Sequence, residues 1–188
     1  MEELEIADGP RIVTGPVGIG DAEREATYVL ADVTNNGGGD AVVTVAGEIV
    51  GKDGTSAGLR AEALRIPAGE TRLFALVTLD VVVVDATSGT ARVLVKSAVR
   101  TKTPAAVVTT GVQQHDDQSR SVVAGFVENQ TDRSVTAVVI GAFYDESGRP
   151  VMRRTTVYKL DAGGRRSAQF VGPRGSKRGA LFIGDVGR

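Results

Sequence analysis

Three stretches of the 188-residue chain set chemically capable side chains next to one another. The first is Gln113-Gln114-His115-Asp116-Asp117-Gln118, which holds the one histidine. An imidazole beside two carboxylates is a donor set for a divalent metal, or the start of a general-base constellation. Consecutive positions rarely converge on one ion, so the stretch reads as a solvated polar loop. The second, Gly172-Pro-Arg-Gly-Ser176-Lys-Arg-Gly179, superficially looks like a phosphate loop. It lacks the G-x-x-x-x-G-K-[ST] spacing and a following helix whose dipole would back the anion. It reads as a flexible basic hairpin tip. The third, Asn35-Asn36-Gly37-Gly38-Gly39-Asp40, offers oxygens to Ca²⁺. A tight connection needing φ > 0 would use the same residues, with Asn35 bonding the turn backbone. Without cysteine there is no thiolate ligand, disulfide or Cys nucleophile, and no G-x-S-x-G elbow occurs. The sequence assigns no catalytic, cofactor-binding or metal-ligating residue. The chain is expected not to be an enzyme and to need no cofactor.

The elements that carry these residues are strands. Valine, with 29 copies, outnumbers leucine, with 10, and threonine adds 17. Val and Thr are stiff at χ1, which disfavours helix and suits a pleated surface. No window repeats apolar residues at helical spacing for three turns; the one helix-like stretch, Asp21–Glu25, is too short. The chain reads as all-β. No stretch approaches the ~20 apolar residues of a membrane span. The acidic start, Met1-Glu-Glu-Leu-Glu5, is unlike the basic start of a signal peptide. The expected location is extracellular or cell envelope if a leader was removed, and otherwise cytoplasmic.

A shift of 94 residues aligns Pro10–Val77 with Pro104–Val171 without a gap, and 13 of the 68 positions are identical. Shared glycines at 54/148 and 69/163 fall at turns, and shared valines fall at one parity. Val29, Ala31 and Val33 point one way, with Tyr28, Asp32 and Thr34 opposed; the counterpart is Val123, Gly125 and Val127. The run Ala41–Val50 turns Val43, Val45, Gly47 and Ile49 inward, and Val135–Tyr144 does the same with Ala137, Val139, Gly141 and Phe143. Further strands begin at Thr71 and Arg165, and the last are Arg92–Val99 and Ala180–Val186. Six or seven short strands in each half predict two tandem immunoglobulin-like β-sandwich domains, 1–100 and 101–188. The short junction Arg100-Thr-Lys-Thr103 predicts sandwiches that lie close together. The four-valine run Val81–Val84 predicts an extra strand or an apolar contact patch.

The second half reads Val123-Ala-Gly125-Phe-Val127-Glu-Asn129, then Phe143-Tyr144-Asp145-Glu-Ser-Gly148, then Leu160-Asp-Ala-Gly163 and Phe170. It resembles the FxLYD family of bacterial surface-associated β-sandwich domains over Ser121–Phe170. Ile49-Val50-Gly51 departs from that pattern in the first half, where Ile66-Pro-Ala-Gly69-Glu70 fits the closing turn. The first half also resembles the immunoglobulin-like sandwich that accompanies some glycoside hydrolases. The resemblance implies a sandwich at a bacterial surface and transfers no catalytic residues.

Charge is distributed unevenly. Residues 1–100 carry 9 basic and 15 acidic side chains, net −6; residues 101–188 carry 13 and 8, net +5. The candidate interaction residues are Arg153, Arg154, Arg165, Arg166, Arg174, Lys177 and Arg178, with Tyr144 facing outward if Phe143 is core. The expected partner is a protein or an anionic surface polymer, or the acidic half of another copy in a head-to-tail array. Nucleic acid is not expected: the basic residues lack interleaved aromatics, and the pI is about 5.9. The absence of Trp removes the best platform for gripping sugars. The leading reading is a non-catalytic binding or spacer module at a bacterial surface. The alternatives are an accessory domain pair of a glycoside-active enzyme and an intracellular assembly or scaffold protein.

Overall fold

A computed structural model of the chain describes residues 3–7, 9–17, 24–78 and 89–187. Every regular element among them is a strand, as the Val and Thr content predicts. The chain divides into two compact units, Met1–Lys102 and Thr103–Arg188.

In the first unit, β1 (Leu4–Ile6) and β2 (Arg11–Val17) pair with one edge of β3 (Arg24–Asn35), and β6 (Thr71–Val77) pairs with the other. The facing sheet runs β5 (Ser56–Ile66), β4 (Ala41–Val50), β7 (Thr90–Arg100). The second unit repeats the plan. One sheet is β8 (Val107–Asp117), β9 (Arg120–Asn129), β12 (Arg165–Arg174); the other is β11 (Pro150–Leu160), β10 (Val135–Tyr144), β13 (Arg178–Gly187). All pairings are antiparallel. These are two tandem immunoglobulin-like β-sandwiches, of seven and six described strands.

The residues turned inward by parity are buried: Val29, Ala31, Val33, Val43, Val45 and Ile49 in the first unit, and Val123, Val127, Ala137, Val139 and Phe143 in the second. Around the second set pack Val107, Val135, Leu160, Ala168, Phe170 and Leu181. A Cβ on Gly141 would lie 2.6 Å from Cγ of Phe170, so this strand position must lack one for the ring to rest on the β10 backbone.

Two sequence expectations need correcting. First, Tyr28 and Asp32 are buried rather than facing solvent, as are Leu30, Ile140, Ala142 and Tyr144. Both faces of β3 and the end of β10 are covered, and near-continuous apolar runs are the mark of such strands. Second, the gap-free repeat fails at the first strands. Val13 opposes Tyr28, whereas Val107 opposes Asn129 and its counterpart is Leu4, which opposes Asn35. Edge strands are pinned on one side only, so their register drifted while the inner strands kept the offset. The stretch Asp21–Glu25, read as too short for a helix, contributes Arg24 and Glu25 to β3, and residues 21–23 lie outside the described residues. The run Val81–Val84 also lies outside them.

Connections that cross between the sheets meet at a repeated buried asparagine. Asn35 is 2% exposed and Asn129 3%. The Asn35 amide donates to Gly39 O at 2.9 Å and Ile66 O at 3.0 Å, and accepts from Gly37 N at 3.0 Å. The Asn129 amide donates to Arg133 O at 2.7 Å and Asp161 O at 2.8 Å, and accepts from Thr131 N at 3.0 Å. Each amide thus ties the β3–β4 or β9–β10 crossing to the turn that closes β5 or β11.

Two predictions follow from this packing. Val127→Ala and Val139→Ala should each cost about 1–3 kcal/mol, and Phe143→Ala about 3–5 kcal/mol, from lost transfer energy plus the cavity left behind. Unchanged denaturant midpoints for both valine variants would contradict the assigned core. Asn129→Leu, which leaves several buried backbone groups without partners, should cost more than Val127→Ala in the same titration.

Candidate functional site

The acidic and basic side chains fall into neutralised pairs and a remainder. In the first unit, Asp40 accepts from Arg65 Nε at 2.9 Å and Nη2 at 2.6 Å, and the Arg65 hydrogen bond holds its carboxyl below the usual range. Glu70 pairs with Arg72 at 2.5 Å, Glu48 with Arg92 at 3.5 Å, and Glu3 with Arg100. Four of this unit's acidic side chains are thus paired with its own arginines.

In the second unit, Arg165 is exposed but engaged. It pairs with Glu128 at 2.9 Å, directly across β12 and β9, and its guanidinium lies 3.6 Å from the centroid of the Phe126 ring. Arg166, Arg154, Arg174 and Lys177 are exposed and make no ion pair among the described residues. Arg153 is half-buried on β11. Tyr144 lies on the face opposite Phe143, yet only 4% of it is exposed, and the exposed Arg178 covers its ring at 4.2 Å. It is a platform for the cation, and not the open contact residue the parity argument expected.

These residues do not form one cluster. Arg165 and Arg166 begin β12 at the Asn129 end of the sandwich; Arg174, Lys177 and Arg178 lie at the opposite end. Arg120, which the sequence did not single out, joins the latter group. It directly opposes Arg174 across β9 and β12. A single-strand reading misses it because its significance comes only from the pairing register.

The basic segment Gly172–Gly179 is neither a hairpin nor a loose tip. β12 pairs with β9 and β13 with β10, so the segment arches from one sheet to the other. Ser176, 1% exposed, accepts from Ser121 N at 2.9 Å and donates to Pro173 O at 2.7 Å. Gly175, at φ +83°, donates to Ser119 O at 2.8 Å. Gln114 donates to Lys177 O at 2.8 Å and accepts from Gly179 N at 2.9 Å. Buried, directed hydrogen bonds fix the arch.

The expected polar loop around His115 is likewise the end of strand β8. His115 opposes Val122, Asp116 opposes Ser121 and Asp117 opposes Arg120, so alternation turns Asp116 away from the other two. The described residues hold no group of three or more His, Cys, Asp or Glu side chains that could ligate a metal. The Asn35–Asp40 segment uses its amide on the backbone and its carboxylate on Arg65.

No family model and no curated protein matches the chain. Among solved structures it is similar to the N-terminal CBM22-1-CBM22-2 tandem domain of Xyn10C from Paenibacillus barcinonensis. The identity is 9%, over 97% of this chain and 85% of that one, with a TM-score of 0.19. A likeness of that size carries no argument about function.

One turn beside the basic end titrates. The Ser147 hydroxyl, then the Arg149 and Ser147 backbone amides and the Arg149 charge, pull the Asp145 carboxyl down to about 2. A carboxyl lowered on folding stabilises the fold above its unfolded value, and that contribution disappears as pH falls through about 2. The stability gap between the wild type and Asp145→Asn should therefore narrow as pH is lowered from neutral to about 2. Thermal melts of the two proteins across that range check this; a constant gap contradicts it.

Proposed function

We propose that this chain is a non-catalytic binding module. In this reading, the second of its two tandem sandwiches presents fixed, exposed cations to a polyanionic partner at a bacterial surface. The observation that carries the reading is the set of exposed basic side chains on the second unit, Arg154, Arg166, Arg174 and Lys177, which make no ion pair among the described residues. Three carboxylates of the same unit pair elsewhere: Glu128 with Arg165, Asp145 with Arg149 and Asp132 with Arg133. Unneutralised cations on a rigid sheet raise the local concentration of anions and speed their encounter. The resemblance of Ser121–Phe170 to FxLYD domains supports the surface setting.

The attraction should be salt-sensitive, because exposed charges act over a Debye length of about 10 Å at ~0.1 M salt. The full chain should bind linear polyphosphate or alginate at low ionic strength and release it as salt rises, as read by fluorescence anisotropy. Failure to bind either polymer at low salt would overturn the proposal. Sedimentation of the chain alone distinguishes the head-to-tail array: association only at low salt would make the acidic first unit of a second copy the partner instead.

A further inference from the structure

We infer that the end of the second unit formed by the β8–β9 turn and the β12–β13 arch binds a flexible chain of phosphate groups. Its cations are Arg120, Arg174, Lys177 and Arg178. The inference rests on the reading of the molecule as a polyanion-binding module, and it gives that reading a place and a ligand chemistry.

The first observation is the pairing of like charges. Arg120 and Arg174 oppose each other directly, with Cβ atoms about 5 Å apart in such a pair. Like charges set opposite one another destabilise a sheet. Neither guanidinium makes an ion pair among the described residues, although Asp117 opposes Arg120 on its other side. An anion between the two arginines would relieve the repulsion.

The second observation is that the backbone carrying the cations is held in place. The turn and the arch are joined by the Gly175 N to Ser119 O bond and by the buried Ser176 hydroxyl on Ser121 N. Gln118 and Ser119, at φ +44° and +67°, take a left-handed turn conformation uncommon outside glycine. Arg178 is stacked on the buried Tyr144 ring. A backbone fixed in this way, with Arg178 stacked on Tyr144, loses little freedom when a ligand arrives.

The chemistry selects phosphate over carboxylate. A carboxylate's acceptor lone pairs lie in one plane, which suits a single coplanar guanidinium fork. A phosphate within a chain carries its two free oxygens on a tetrahedral centre, where their lone pairs are not confined to one plane, and it can accept from two opposed forks together. The placement selects a polymer over a single ion. Arg120 and Arg174 lie on the outer face of one sheet, Arg178 on the outer face of the other, and Lys177 between them in the arch. Packed sheets stand about 10 Å apart, too far for one phosphate to reach every cation.

The test uses the full chain and fluorescently labelled linear polyphosphate at low salt. Arg174→Glu with Lys177→Glu should weaken binding at least about tenfold. Asp117→Asn, which removes the nearest opposed carboxylate, should strengthen it about twofold. Arg133→Glu with Lys159→Glu, both at the Asn129 end of the unit, should change it by less than about twofold. Retained affinity in the Arg174/Lys177 variant, or an equal loss in the Arg133/Lys159 variant, would overturn the inference. If the Arg174/Lys177 variant melts below the wild type, Arg120→Gln supplies the same comparison without charge reversal. Orthophosphate competing as well as polyphosphate at equal phosphate concentration would overturn the polymer. Binding to alginate alone would overturn the phosphate chemistry and leave the polyanion-binding reading standing; binding to neither polymer would remove both.

Discussion

In each sandwich the chain crosses between the sheets after β3 or β9 and again after β5 or β11. Backbone groups at such crossings leave the ladders while still inside the fold, so they need other partners. One buried asparagine meets this need in each unit. Asn35 and Asn129 each donate twice and accept at least once, all at backbone groups of the two crossings or adjoining them. Aspartate would supply no donors there, and leucine would supply neither donors nor acceptors. The relative position of the two sheets, and with it every side chain aimed between them, therefore depends on a neutral amide.

The β4–β5 and β10–β11 turns show how the two halves keep a shape while exchanging residues. Gly51 and Asp145 occupy matching positions, and each amide bonds the carbonyl four residues on, Thr55 O or Arg149 O. Asp145 caps Ser147 and Arg149 from the first position. In the other unit the carboxylate comes from Asp53, two residues later, and it caps Thr55. A Cβ on Gly51 would lie 2.7 Å from the Asp53 carboxylate, so the acid fills the space that an Asp145-like side chain would enter. The turn requires a carboxylate in that space, whichever position supplies it.

Strand parity made the inner strands legible, because burying one face forces a period of two and a slip would turn the core outward. Ala41–Val50 and Val135–Tyr144 hold at the predicted limits, and their inward residues are buried. The edge strands lacked that constraint, so Val13 and Val107 aligned in sequence yet face different partners. The asparagine was readable as a turn-bonding residue, but its reach to Ile66 or Asp161 was not, since those carbonyls come from a distant crossing. The basic site was legible as composition only. Its division into two ends and the opposition of Arg120 to Arg174 come from register, which no run of residues encodes by itself.

The manner in which the arch is anchored explains why its charge remains available. The neighbouring β10–β11 turn is stabilised through a carboxylate, and Asp145 thereby neutralises Arg149. The arch is instead held by a serine hydroxyl, a glutamine amide and backbone groups, none of them charged. Neutral hydrogen bonds fix geometry without compensating nearby ions. A carboxylate at Ser176 could accept from Ser121 N, but it could not also donate to Pro173 O, and it would bring a negative charge to the basic end. Rigidity and uncompensated charge thus have the same origin here: the fold closes this end with dipoles and leaves Arg120, Arg174 and Lys177 without an ion pair among the described residues.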